Sequence, residues 1–247
     1  SITGTGETHC QRGTLSAALR RADATNFPAS AAAYERALAD APGDWLLMDH
    51  MAGALVRLFL HWCQPDAQKT TDIDLSIGFY GPSWEYIGVC SYYQLSYGGF
   101  AKSAGDLRSA PPPDGATEFV DLDRAAARAA GVRYAVMVVN NYAGLPFKAL
   151  QRGFAGVMIR SDADGVHFDP RAVELKFDLQ GENGVYLPLL IDLETGALHW
   201  LDVYKKGQFA FNNVASSNRE IQQVCPALLA TFAAGRPTVF DAALLHA

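Results

Sequence analysis

One run, VRYAVMVVN (Val132–Asn140), constrains the chain more than any other feature. It is apolar nearly throughout and of strand length. A strand without polar alternation needs cover on both faces, which places it at the centre of a sheet with a layer on each side. Other strand-length segments surround it. ALVRLFLHWC (Ala54–Cys63) alternates Leu58, Leu60 and Trp62 with Arg57, His61 and Cys63. TDIDLSIGFYG (Thr71–Gly81) sets Ile73, Leu75, Ile77 and Phe79 on one face and Asp72, Asp74, Ser76 and Gly78 on the other, the pattern of a half-buried strand. The polar QPDAQKT between them makes the pair read as a hairpin with a medium loop. WEYIGVCSYY, VDLD, FAGVMIR and AVELKFDL add strands, and GVYLPLLIDLETGALHWLDVY (Gly184–Tyr204) is a hairpin turning at Glu194–Gly196.

Helical signals flank these strands. RAAARAAG predicts a short helix ending at Gly131. In SSNREIQQVCPALLATFAAG, Ser217 and Glu220 form a capping box. Ile221, Val224, Cys225, Leu228, Leu229 and Phe232 form one stripe, Pro226 predicts a kink, and Gly235 a stop. TVFDAALLHA reads as a last short helix. At the other end, SAAAYERALADA (Ser30–Ala41) and GDWLLMDHMAG, with Asp44 as cap, make residues 1–52 helical, and Gly53 marks a change of period. The expected fold class is therefore mainly β: a β-sandwich over 53–247 with C-terminal helices, preceded by a helical segment over 1–52. Because the first residue is serine, that segment is expected to belong to a longer region.

Composition narrows the function classes. A net charge of -6 and no basic cluster argue against nucleic-acid binding. The most apolar stretch, WLLMDHMAGALVRLFLHWC, is broken by Asp49, His50 and Arg57, so no membrane insertion is expected. Cys10, Cys63, Cys90 and Cys225 are far apart and make no CxxC, which suits a reduced cytoplasm. No G-x-S-x-G, P-loop or G-x-G-x-x-G occurs. His61 and His199 lack a second ligand at metal spacing and read as structural, and HFDP (His167–Pro170) reads as a turn.

The chemistry-bearing residues are carboxylates. Asp72 and Asp74 share a strand face, where they repel each other. The segment Gly98–Phe119, rich in Gly, Ser and Pro, is too broken for a central strand or helix and carries Asp106, Asp114 and Glu118. Five carboxylates in two segments suit a hard divalent cation such as Ca²⁺, which takes six to eight oxygen ligands. An ion would turn the repulsion of Asp72 and Asp74 into shared attraction. The other reading, separate surface carboxylates around a loop, stays open. KGQFAFNNVASSN (Lys206–Asn218) is either a connecting loop or a polar ligand or partner surface. In the second case Asn212 and Asn213 would join Asn140, Asn141 and Tyr142.

These segments together resemble the TerD family of bacterial tellurium-resistance and stress-response proteins. DIDLS, the Gly105-Asp106 step, DGATEFVDLD and VRYAVMVVN carry the likeness. RLFLHWC, GLPF, FAGVM, HFDPR, GVYLPL and LHWLDVY extend it to a longer TerD-like branch that can carry a RING-type zinc region. The likeness covers about Gly53 to Ala247. It implies a Ca²⁺-binding β-sandwich with Asp72, Asp74 and Asp106 as metal ligands, and Asp114 and Glu118 less securely, for one or two ions. It also implies a cytoplasmic, non-enzymatic protein that acts through partner proteins of a stress-response system. The sequence departs from the pattern in places. Ser103 and Ala104 stand where shorter members have His and Ser/Thr, and LRSAPPP follows Asp106 in place of an acidic Gly-rich run. No RING-like cysteine cluster is present. Alternative functions are a metal-dependent hydrolase using the acidic cluster, or a purely structural module of a larger protein.

Overall fold

The computed structural model describes residues 55–68, 70–160, 163, 173–182, 184–205 and 214–233. The expected helices over 1–52, the HFDP turn, Asn212 and Asn213, the stop at Gly235 and the last short helix lie outside them, as does the side chain of Phe232.

Among the described residues, eleven strands form two antiparallel sheets. The strands are β1 (Leu55–Cys63), β2 (Asp72–Tyr80), β3 (Tyr86–Cys90), β4 (Ser96–Tyr97), β5 (Ala101–Ser103), β6 (Ala116–Asp123), β7 (Tyr134–Ala143), β8 (Arg152–Arg160), β9 (Val173–Asp178), β10 (Val185–Asp192) and β11 (Leu198–Lys205). One sheet runs β4-β5-β6-β1-β8-β9 and the other β11-β10-β7-β2-β3. Helix α1 (Arg124–Ala129) is capped by the Asp123 carboxylate, which accepts from the Ala126 N–H. Helix α2 (Val214–Ala233) crosses the outer face of the five-stranded sheet.

The central position expected for VRYAVMVVN is observed: β7 is the middle strand of its sheet. Ala135, Met137 and Val139 point into the inter-sheet core with Leu58, Leu60, Ile73, Leu75 and Leu122. Val136 and Val138 pack the other way, with Val214, Ile221 and Cys225 of α2. Each face thus removes a set of aliphatic side chains from water, the dominant stabilising contribution.

Three expectations are corrected. β1 and β2 are not a hairpin: β1 pairs with β6 and β8, β2 with β3 and β7. The apolar faces of both strands are better buried against each other across the sandwich than side by side. The connection is therefore a corner, pinned where Trp62 Nε1 donates to the Thr71 carbonyl at 2.8 Å and Gln64 Oε1 accepts from the Thr71 and Ala110 N–H groups. β2 is not half-buried, because α2 covers its second face; every residue but Asp72 is buried. Gly78 makes this approach possible, since a Cβ there would lie 3.0 Å from Val214 Cγ1. Finally, α2 begins at Val214, so Ser217 is a buried position within the helix and not its cap. Ile221 and Cys225 of the expected stripe are buried, Leu228 and Leu229 pack at its margin, and Val224 is exposed. Pro226 lies inside the helix. The segment 98–119, expected to hold no central strand or helix, carries the turn of the β4–β5 hairpin, where Gly98 and Gly99 adopt positive φ, then β5 and the first residues of β6.

Candidate metal centre

β3 pairs with β2 only from Ile77 to Tyr80. Upstream of Ile77, no strand among the described residues lies beside the β2 edge that faces away from β7. Glu118 of β6 fills part of this gap. It lies on the inward face of the six-stranded sheet with Val120 and Leu122, and only 2% of it is exposed. Its Oε2 accepts from the Leu75 N–H at 2.9 Å and its Oε1 from the Leu107 N–H at 2.8 Å. One carboxylate therefore ties the residue after Asp74 to the residue after Asp106. This clamp holds the two ligand-bearing segments together across the sandwich.

The consequence is a convergence of charge. Among the described residues, Asp72, Asp74 and Asp106 each offer a carboxylate oxygen, all within 4.8 Å of one another. With Tyr92, Arg108 and Tyr142 they line a cleft of about 130 Å³. Asp74 is 2% exposed and its Oδ2 is buried without a hydrogen-bond partner, as is Asp72 Oδ1. Asn140 stands opposite Asp74 in the β2–β7 register, which puts the two side chains on one face. Asn140 is fully buried, and neither polar atom of its amide has a partner. Buried polar atoms are ordinarily satisfied, so orphans gathered at one place point to something bound there.

The electrostatics are those of crowded, buried carboxylates whose mutual repulsion Arg108 offsets only in part. Burial pushes the Asp74 carboxyl up to about 7, and the charges of Asp72 and Asp106 add to this while Arg108 opposes it. Burial and then Asp106 raise Asp72, again against Arg108. Burial takes Glu118 up to about 8 despite the two backbone hydrogen bonds that favour its charged form.

The donor set is all hard oxygen, with a buried unpartnered oxygen on each of Asp72 and Asp74, and it fits a Ca²⁺-type ion. Of the five expected ligands, the fold brings together Asp72, Asp74 and Asp106. Glu118 stands outside this group of three and acts as a clamp, each of its oxygens accepting a backbone N–H. Asp114 is exposed and stands outside the convergent group. It sits beside Gly115, which takes φ 73° where a Cβ would come within 2.3 Å of the Trp62 carbonyl oxygen. Asn140 and Asn141 are buried and form no open surface; the Asn141 amide donates to the Leu145 carbonyl. Tyr142 does line the cleft. His61 is structural as read: its Nδ1 meets Thr117 Oγ1 at 2.9 Å and its ring stacks on Phe154. Sequence reasoning missed Tyr92 and Arg108. Arg108 carried a weak signal, a cation two residues from Asp106; Tyr92 carried none, since it reaches the cleft only through the β3–β4 turn.

Two packed antiparallel sheets with an acidic cleft between a strand start and a long loop define the class of the protein. No family model matches the chain, and no curated protein matches it. Among solved structures it is similar to a homologue of the telluride resistance protein TerD from Streptomyces coelicolor A3(2). The identity is 12% and the TM-score 0.51, over 69% of this chain and 98% of that one. A solved protein of unknown function aligns with 14% identity and TM-score 0.48, over 68% of this chain and 96% of that one. The fold is TerD-like. Among the described residues no helix is long and apolar enough to cross a membrane.

Proposed function

We propose that this protein is a Ca²⁺-binding, non-enzymatic TerD-like protein in which Asp72, Asp74 and Asp106 hold the ion. The carrying observation is the buried, unpartnered Oδ2 of Asp74 inside a group of three carboxylates. A fully hydrated surface cluster would not leave that atom without a partner. When bound, the ion supplies positive charge that joins the start of β2 to the Asp106 loop. The chain's own contribution is to place the oxygens: β2 orients Asp72 and Asp74, and the Glu118 clamp brings Asp106 to meet them. The ordered loop then forms part of a surface for a partner protein in a cytoplasmic bacterial stress response, of which tellurite resistance is one form.

A calcium titration read by thermal unfolding tests this. A ligand that binds only the folded state adds about 2.7 kcal/mol at 100 times its Kd. For a chain of this size that raises Tm by about 5–10 °C. Asp74→Asn and Asp106→Asn are each expected to abolish the rise. No rise at millimolar calcium in the wild type overturns the reading. Turnover of ester or phosphate substrates dependent on the same carboxylates would favour the hydrolase alternative.

A further inference from the structure

Among the described residues, Arg108 is the only cationic side chain lining the acidic cleft. Its Nε and Nη2 both donate to Asp106 Oδ2, at 3.1 and 3.0 Å. The guanidinium thus occupies one oxygen of a carboxylate that also faces Asp72 and Asp74. The side chain is 79% exposed while Asp106 is only 21% exposed, so the arginine reaches in from the mouth and can swing back into water without uncovering a core. Its backbone neighbour Leu107 is held by Glu118, so the base of the arm stays in place when its tip moves. The unpartnered Oδ2 of Asp74 and the orphaned amide of Asn140 lie deeper, beyond the reach of that one contact.

We propose that Arg108 is a tethered counter-cation of this site, competing with the divalent ion for Asp106 and displaced to the Tyr92–Tyr142 rim when the ion binds. The inference rests on the calcium reading above and deepens it, because it assigns the site its own internal competitor. A guanidinium has a single positive charge and cannot satisfy oxygens arranged around a point, whereas a divalent ion can. Displacement therefore follows from charge and geometry. It also changes the outer face locally, exchanging an inward-paired guanidinium for one turned toward solvent beside two aromatic rings.

Calorimetric calcium titrations of wild type, Arg108→Gln and Arg108→Lys test the proposal. At about 0.01 M salt, where the Debye length is about 30 Å, the glutamine variant is expected to bind roughly two- to fivefold tighter. Lysine keeps the charge and is expected to stay near wild type. At about 1 M salt, with a Debye length of about 3 Å, the difference is expected to close. The Arg108 Nε–H resonance reads the displacement directly: it is expected to shift and exchange faster with water on adding calcium. Equal or weaker binding by Arg108→Gln at low salt overturns the competitor role while leaving the calcium reading intact. Absence of binding in both wild type and variant overturns both. Binding by the variant alone supports both.

Discussion

Glu118 commits both carboxylate oxygens to backbone N–H groups, and this separates its role from that of its acidic neighbours. In Glu118→Gln one acceptor becomes an NH₂ that faces another N–H. A buried donor left unsatisfied costs about 1–3 kcal/mol. The variant is expected to lose about that much stability in urea unfolding, and to bind calcium more weakly although Asp72, Asp74 and Asp106 are all present. Asp74→Asn acts in the opposite sense on the unloaded protein. It removes a buried charge repelled by two others, so it is expected to raise Tm in chelator while abolishing the calcium response. The pH dependence follows from the same groups. Asp74 and Glu118 hold their protons up to about 7 and about 8 when folded, but only to the ordinary carboxylate range when unfolded. Across that window the folded state binds more protons, so stability falls as pH rises from about 4 to about 8. Thermal unfolding in chelator is expected to show this decline, and saturating calcium to flatten its upper end. A Tm in chelator that instead climbs steadily over that range would contradict the buried carboxylate cluster.

Strands and helix meet at positions where the backbone itself is the packing surface. A Cβ on Gly156 in β8 would lie 2.1 Å from the Leu175 carbonyl oxygen of β9 and 2.8 Å from the Phe59 ring. Gly156→Ala is therefore expected to strain the β8–β9 edge and cost about 1–3 kcal/mol, read as a lower urea midpoint at unchanged slope. Gly78→Val is expected to push α2 away from β2 through Val214, with a loss of similar size. The strand assignments in the sequence depended on apolar runs and turn residues, and β7, the β10–β11 hairpin and α1 were legible from these alone. The start of α2 was not. Ser217 and Glu220 satisfy a local capping pattern, but burial of Val214 against Gly78 favours a helix that begins earlier. Local hydrogen-bond chemistry was outweighed by tertiary packing.

For the molecule as a whole, two cores share one sheet. The inter-sheet core holds Cys90 and the α2 core Cys225, and these two and Cys63 are buried free thiols. Burial pushes the Cys90 and Cys225 thiols up to about 11 and about 12, so neither forms thiolate at neutral pH. A thiol reagent is expected to label these three only as fast as the protein opens, and immediately in denaturant. Rapid labelling of Cys225 in the native state would show that α2 is not docked.

Alternation, turn residues and the identity of the acids were enough to read a layered β protein and a set of hard oxygen donors, since side-chain period and donor type are local properties. Which acids meet is a matter of distance between segments far apart in the chain. Asp114 and Glu118 look alike in the sequence, four residues apart, yet one is exposed and the other is sealed between the sheets. The difference lies in the inward parity of β6 and in the unpaired length of β2, which leaves one N–H for Glu118 to hold and so draws Asp106, with Arg108 beside it, to Asp72 and Asp74.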